Sequence, residues 1–475
     1  MLFNSIDFAL FYILVTVLYF AFPYKFRWVI LLAASCYFYM AFVPIYILIL
    51  GFTIVIDYFA GIYIERAQDP RRRKLLLMAS LFANIGILAV FKYFNFINLN
   101  IDYLFTKFNY HNPIPYLSIL LPIGLSFHTF QAMSYTIEVY RGNQKAEKHF
   151  GIYSLYVMFY PQLVAGPIER PQNILYQMHT KYPFNYNLMV SGLKMMLWGF
   201  FKKLVIADRL SIYVSSVYNN PDLHNGSTIV IASLFFAVQI YCDFSGYTDI
   251  AIGCAKTMGF DLMKNFNRPY FATNIQDFWR RWHISLSTWF RDYLYIPLGG
   301  SKVSTGRRYL NLFIIFLVSG IWHGANYTYI VWGALHGFYS VVYVIIKPYL
   351  RKTPENEFYA TLMRMGNIAL TITFVTFAWI FFRANSVADA FTLISNLKSF
   401  GAAPFFGDGI SNFAHSLLAI AILFAVEYKM EYMPQKFNFY TSHNIVVRWG
   451  SVAVTVFLIL ILGVFNGGQF IYFQF

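Results

Sequence analysis

The 475-residue chain carries 36 Lys or Arg against 21 Asp or Glu, a formal net charge of +15, yet only 12% of its residues are charged, about half the share of a soluble domain. Hydrophobic residues reach 58% and aromatic residues 21%, with 52 Phe, 38 Tyr and 9 Trp, more apolar surface than a soluble fold of this size can hide. A cytosolic globular enzyme, a disordered chain and a secreted disulfide scaffold are excluded, and an all-α polytopic membrane protein remains.

In chain order, apolar runs predict membrane segments near 6–22, 27–46, 48–65, 75–97, 116–139, 150–165, 187–206, 226–241, 246–260, 309–322, 326–346, 367–383, 413–430 and 447–465. The first begins almost at Met1 without a small-residue cleavage site and reads as a retained span. Several runs fall short of the roughly 20 residues a spanning helix needs. Such pieces persist as re-entrant or broken helices only where protein or a wet cavity surrounds them. The whole reads as one membrane domain, with amino-terminal spans over 1–150, a catalytic core over 151–385 and carboxy-terminal spans over 386–475.

The basic residues fall in short clusters between these runs, which fits the positive-inside rule better than nucleic-acid binding. Arg66, Arg71, Arg72, Arg73 and Lys74 form the densest cluster and predict a cytoplasmic loop. Counting back puts Lys25 and Arg27 inside and the amino terminus outside; counting forward puts 98–115 outside and Arg141, Lys145 and Lys148 inside. Cys36, Cys242 and Cys254 lie in or beside apolar runs and suggest neither disulfides nor a metal site.

From Pro161 to Gly300 the apolar pattern is broken by charge, proline and glycine. Lys202 and Lys203 sit within a hydrophobic stretch, Asp243, Asp249 and Asp261 follow, and Asp277-Phe278-Trp279-Arg280-Arg281-Trp282-His283 is dense in ionisable groups and indoles. Ionisable groups at membrane depth are costly and tend to line a cavity or site. Trp279, Trp282 and Trp289 suit an interface. Arg280, Arg281 and Arg291 offer permanent planar cations suited to phosphate, unless they only fix topology. Asp243 and Asp249 are expected to pair with these arginines.

Two of the ten histidines stand out. His323 lies fourteen residues beyond Tyr309 in an apolar run, roughly 21 Å along a helix at about 1.5 Å per residue, well inside a hydrocarbon core about 30 Å thick. Gly320 and Gly324 flank it, and Asn326 is close by. His336 lies on the second helix of the same hairpin, where a helix-packing role is the alternative. His128, on another predicted span, reads as a helix-packing hydrogen-bond partner. A buried neutral imidazole accepts a proton at physiological pH. It can therefore act as general base when a hydroxyl attacks an acyl carbonyl, or become acylated itself.

These residues resemble the membrane-bound O-acyltransferases, and most of all their bacterial alginate O-acetyltransferase branch, with peptidoglycan O-acetyltransferases and D-alanyl-lipoteichoic acid transferases as relatives. The resemblance rests on Phe159–Arg170 (FYPQLVAGPIER), Tyr241–Asp249 (YCDFSGYTD), the Trp- and Arg-rich block 278–300, and Ser319–Asn326 (SGIWHGAN) with Trp332–Gly337 (WGALHG). It implies a helical wall around a central tunnel, open to an acyl donor from the cytoplasm and an acceptor outside, with His323 in the middle of the path. It further implies acetyl-coenzyme A as donor, no bound cofactor or metal, an extracytoplasmic polysaccharide as acceptor, a secreted SGNH-type partner, and a place in the bacterial inner membrane among its lipids. His323 and His336 are the candidate catalytic residues; Asn326, Trp322, Arg281, His283, Asp243 and Tyr247 are the candidate donor- and substrate-binding residues. The D-alanyl relatives carry a further histidine on the helix after the hairpin; here that helix, Leu370–Trp379, has none, which favours acetyl over D-alanyl. An intramembrane transporter or flippase is the alternative from another class.

Overall fold

Helix is the regular backbone found throughout the described residues, as expected where lipid offers no partner to an open N–H or C=O. The computed structural model describes residues 1–118, 122–164, 166–350, 354–401, 409–433, 442 and 444–465. Part of the predicted segment 116–139, Ala165 of the FYPQLVAGPIER motif and much of the carboxy-terminal stretch therefore lie outside the described residues. The helices run α1 Ile6–Ala21, α2 Tyr24–Met40, α3 Ile47–Arg66, α4 Pro70–Leu88, α5 Phe94–Lys107, α6 Leu125–Arg141, α7 Phe150–Met158, α8 Tyr160–Leu163, α9 Pro171–Met178 and α10 Tyr186–Phe200. They continue as α11 Asp208–Tyr218, α12 Gly226–Thr257, α13 Ile275–Arg281, α14 Ile284–Phe290, α15 Thr305–His323, α16 Tyr327–Ile346, α17 Glu357–Arg383, α18 Val387–Asn396, α19 Gly409–Tyr432 and α20 Ile445–Leu462.

Among the described residues seven helical stretches are long and apolar enough to cross a bilayer, against fourteen predicted runs. The chain is thus an all-α, multi-pass membrane protein, but several runs are not separate, continuous helices. The pair 226–241 and 246–260 is one helix, α12, with Asp243 and Asp249 in its interior. Among the described residues of the run 116–139 the helix begins at Leu125, after Pro122 and a left-handed Gly124. The run 150–165 is two short helices, broken at Phe159 ahead of Pro161. In its most apolar window α12 is 83% buried, whereas α19 and α20 are 17% buried. The last two therefore turn apolar side chains such as Phe457 and Leu460 outward, as lipid-facing helices do.

Internal packing divides the chain into two compact units, Met1–Leu193 with Ala251–Met263, and Lys194–Ile250 with Lys264–Phe475. In the first, α3, α4 and α6 meet around buried Asp57, whose carboxylate accepts from Ser80 Oγ at 2.6 Å and from Asn84 Nδ2 at 2.9 and 3.0 Å. The basic connections gather at one end of this unit. Arg73 Nη2 donates to the Tyr140 carbonyl at 2.7 Å, the Ala146 N–H to Glu65 Oε1 at 2.9 Å, and Arg27 Nη1 to the Tyr182 carbonyl at 2.6 Å. The FYPQLVAGPIER motif also serves this unit: Glu169 Oε1 accepts the Met263 N–H at 2.6 Å, and Gln162 Nε2 donates to the Tyr156 carbonyl at 2.8 Å.

In the second unit α10 runs through a π-helical turn, Phe201–Ala207, into α11 and lies against α12. The approach is close because both helices present glycine: a Cβ on Gly199 would stand 2.6 Å from the Gly246 carbonyl oxygen. The wide turn aims Lys202 and Lys203 at α12, a geometry π-turns often provide at special sites.

Candidate active site

His323 is the last residue of α15, and Gly324 then leaves the helix in an extended conformation. Asn326 begins α16, with its Oδ1 accepting the Thr328 N–H at 3.0 Å and its Nδ2 donating to the Asn385 carbonyl at 3.1 Å. Asn326 is thus the N-cap that restarts the chain after the turn.

The two helices cross where neither has a side chain. A Cβ on Gly320 would meet the Tyr329 carbonyl oxygen at 2.3 Å, and one on Gly333 would meet the Phe316 carbonyl oxygen at 2.4 Å. A Cβ on Gly324 would lie 2.2 Å from the Tyr329 ring. All three positions require glycine for this approach, and they fix where the His323 ring is carried.

The ring is 4% exposed. It is surrounded by aromatic side chains: Trp322 at 4.9 Å, Trp332 at 5.0 Å and Phe382 at 5.3 Å between ring centroids, all edge-on. These side chains leave little of the ring open to solvent. Trp332 is also the link to His336, one turn further along α16, whose ring lies 5.0 Å from it and is fully buried. Trp279 Nε1–H donates to His336 Nδ1 at 3.3 Å. With Nδ1 accepting, a neutral His336 holds its proton on Nε2, and that nitrogen has no hydrogen-bond partner among the described residues.

His283 approaches from the other direction. It takes a left-handed backbone, φ 43°, at the start of α14, and its Nδ1 lies 3.1 Å from Asn265 Oδ1. Burial pushes its pKa down to about 3, which keeps it neutral. Its ring lies 4.7 Å from Phe244 and 6.4 Å from Trp322. Three of the four motifs therefore converge: Phe244 of YCDFSGYTD, His283 and Trp279 of the Trp/Arg block, and Trp322, His323, Trp332 and His336 of the hairpin.

The expected pairing of Asp243 and Asp249 with arginines is corrected by the structure. Lys203 Nζ lies 2.7 Å from both Asp243 and Asp208, and Lys202 Nζ lies 2.7 Å from Asp249 and 2.9 Å from Ser245 Oγ. The π-turn brings the ammonium groups to these carboxylates from the facing helix, so the arginines are not needed there. Tyr247 belongs to the same cluster, with Lys203 Nζ 5.4 Å from its ring centroid. The arginines have partners of their own. Arg281 joins Asp277 at 3.1 Å and Glu431 at 2.8 Å, Arg291 joins Asp292 at 2.7 Å, and Arg280 is exposed.

Two members of the aromatic cage were not among the sequence candidates, Trp379 and Phe382 on α17. Trp379 stacks on Trp332 at 5.7 Å. Their three-residue spacing on one helix face was the available signal.

A model of the membrane-bound O-acyltransferase family matches residues 148–388. A probable alginate O-acetylase of Pseudomonas aeruginosa is 36% identical over 385 residues, covering 81% of this chain and 72% of that protein. A peptidoglycan O-acetyltransferase of Helicobacter pylori is 35% identical over 398 residues, covering 78% and 73%. A teichoic acid D-alanyltransferase of Bacillus subtilis is 28% identical over 288 residues, covering 58% and 70%.

Proposed function

The chain belongs to the membrane-bound O-acyltransferase family and is an O-acyltransferase, and from that premise we propose that it moves acetyl from cytoplasmic acetyl-coenzyme A across the bacterial inner membrane for O-acetylation of an extracytoplasmic polysaccharide. The observation that carries this reading is the chain of ring contacts by which three motifs meet around His323: Phe244 on His283, His283 on Trp322, and Trp332 on His323 itself. As general base, His323 takes the proton of an attacking hydroxyl; the thioester C–S bond breaks, and the departing thiolate receives that proton from the imidazolium. As transient carrier, the ring nitrogen attacks the thioester carbonyl, expels the thiolate and passes the acyl group to a hydroxyl. His336 and His283 back the cage as positioning residues, against Trp332 and Trp322. With the ring 4% exposed, turnover requires the cage to part.

Acetyl is favoured over D-alanyl because the acetylating relatives match more of the chain, 81% and 78% against 58%, at higher identity. The basic connections gathered at one end of the first unit support a common side for them; the positive-inside rule makes that side cytoplasmic and the amino terminus extracytoplasmic. The acceptor step outside then falls to an SGNH-type partner.

The test replaces His323 with Ala and measures acetyl ester on the surface polysaccharide at matched protein level. Loss of a positioned base predicts a fall of about 10²- to 10⁴-fold. Wild-type ester content at wild-type protein level excludes the proposed role. Isotope-labelled acetyl-coenzyme A adds a direct readout, since the purified protein should cleave the thioester.

A further inference from the structure

The first unit has a pocket of about 220 Å³ at its basic end. Its charged and polar wall includes Lys25, Arg27, His149 and His179, and its apolar floor includes Trp28 and Leu31. We propose that this pocket binds the phosphate group of an anionic membrane lipid.

The side chains are set for an anion. Lys25 follows Pro23 at the start of α2, and its ammonium rests 5.2 Å from the Phe26 ring, with no ion pair among the described residues. The Arg27 guanidinium carbon lies 4.7 Å from the Tyr19 ring centroid, and its Nη1 donates to the Tyr182 carbonyl at 2.6 Å, which holds the guanidinium in place. His149 Nδ1 accepts the Ile152 N–H at 3.1 Å, so a neutral ring carries its proton on Nε2 as a donor. Two carboxylates stand nearby: Glu147, whose Oε2 lies 2.7 Å from His179 Nε2 and whose Oε1 accepts the His149 N–H at 2.8 Å, and Asp261, next to the pocket-lining Phe260. Neither forms an ion pair with Lys25 or Arg27 among the described residues, so both cations remain available to an anion.

The size and the floor select the kind of anion. Pockets that enclose whole drug-sized ligands measure about 300–1,000 Å³, so this one suits a headgroup rather than a nucleotide. The floor is built to be apolar: a Cβ on Gly151 would stand 2.2 Å from the Trp28 indole, so glycine makes the space that Trp28 fills. An acyl chain attached to the phosphate would continue along such a surface. Basic pockets between membrane helices on the cytoplasmic side attract anionic headgroups, each Lys or Arg near the surface contributing about 1 kcal/mol. The proposal concerns a binding site in the first unit and does not depend on the acyl-transfer reading.

The full chain is reconstituted in phosphatidylcholine nanodiscs with a minor fraction of phosphatidylglycerol, and the lipid retained after detergent extraction is counted by native mass spectrometry. Wild-type protein should retain phosphatidylglycerol preferentially, Lys25→Gln should weaken retention about fivefold, and Lys25→Arg should keep it. Equal retention by wild type and Lys25→Gln overturns the proposal. A second measurement uses wild type alone: its melting temperature should rise with phosphatidylglycerol more than with glycerol 3-phosphate, ADP or inorganic phosphate. Equal stabilisation by the soluble phosphates assigns the pocket to a soluble phosphate ester and overturns the lipid.

Discussion

Around Lys203 the second unit places two carboxylates, Asp208 and Asp243, each 2.7 Å from one ammonium; around His323 it places three aromatic rings at 4.9 to 5.3 Å. Both regions bury ionisable side chains among apolar helices, and α12 and the hairpin each reach their closest contact through glycine. In the first region charge is answered by charge, which makes a cross-link between α12 and the π-turn. In the second the imidazole is enclosed by the edges of aromatic side chains. Burial of an ionisable group alone thus does not mark chemistry; the kind of neighbour does.

The largest effect that bears on this contrast is expected at the ion-pair cluster. Lys203→Met leaves Asp208 and Asp243 buried without their cation and should cost about 3–5 kcal/mol of stability. A thermal melt in detergent reads this, and an unchanged melting temperature would deny the cluster its structural role. Restoring stability with Asp243→Asn in the same chain would sharpen it. A smaller effect is expected at the glycine crossing. Gly333→Ala forces a Cβ toward the Phe316 carbonyl and should cost about 1–3 kcal/mol by overpacking, with loss of acetyl transfer at matched protein level because the His323 ring is displaced. Full activity in this variant would show that the crossing tolerates a shift. The smallest is Trp279→Phe, which keeps a ring in place but removes the N–H donated to His336. Loss of one hydrogen bond should cost about 0.5–1.5 kcal/mol of stability, read as a small fall in melting temperature; a fall in acetyl transfer beyond that at matched protein level would make His336 a positioning residue, and an unchanged rate a packing residue only.

Much of the hairpin was legible because its signals are local. Apolar runs, paired glycines and a histidine at calculable depth need no knowledge of distant residues. The lysine cluster was not legible in the same way. Lys202 and Asp249 lie far apart in sequence, and the π-turn that joins them leaves no mark in the hydrophobic period. The same blindness split α12 in two, since Asp243, in the gap between the two predicted runs, looks like an interruption until its cation is known. Pro161 and Pro122 gave fair warning that 150–165 and 116–139 would not be whole helices, yet composition alone favoured spans there. Phe382 and Trp379 escaped notice because an aromatic residue late in an apolar helix resembles any other until the fold shows what it touches.

The bare crossing at Gly320 and Gly333 has a mechanical consequence. Backbones that touch backbone have no side-chain cushion to slide on, so α15 and α16 move as one beam and His323 stays fixed to it. Under the proposed function, admission of reactants falls to the neighbours that lean on the beam, Phe382 from α17 and the segment bearing Trp279 and His283.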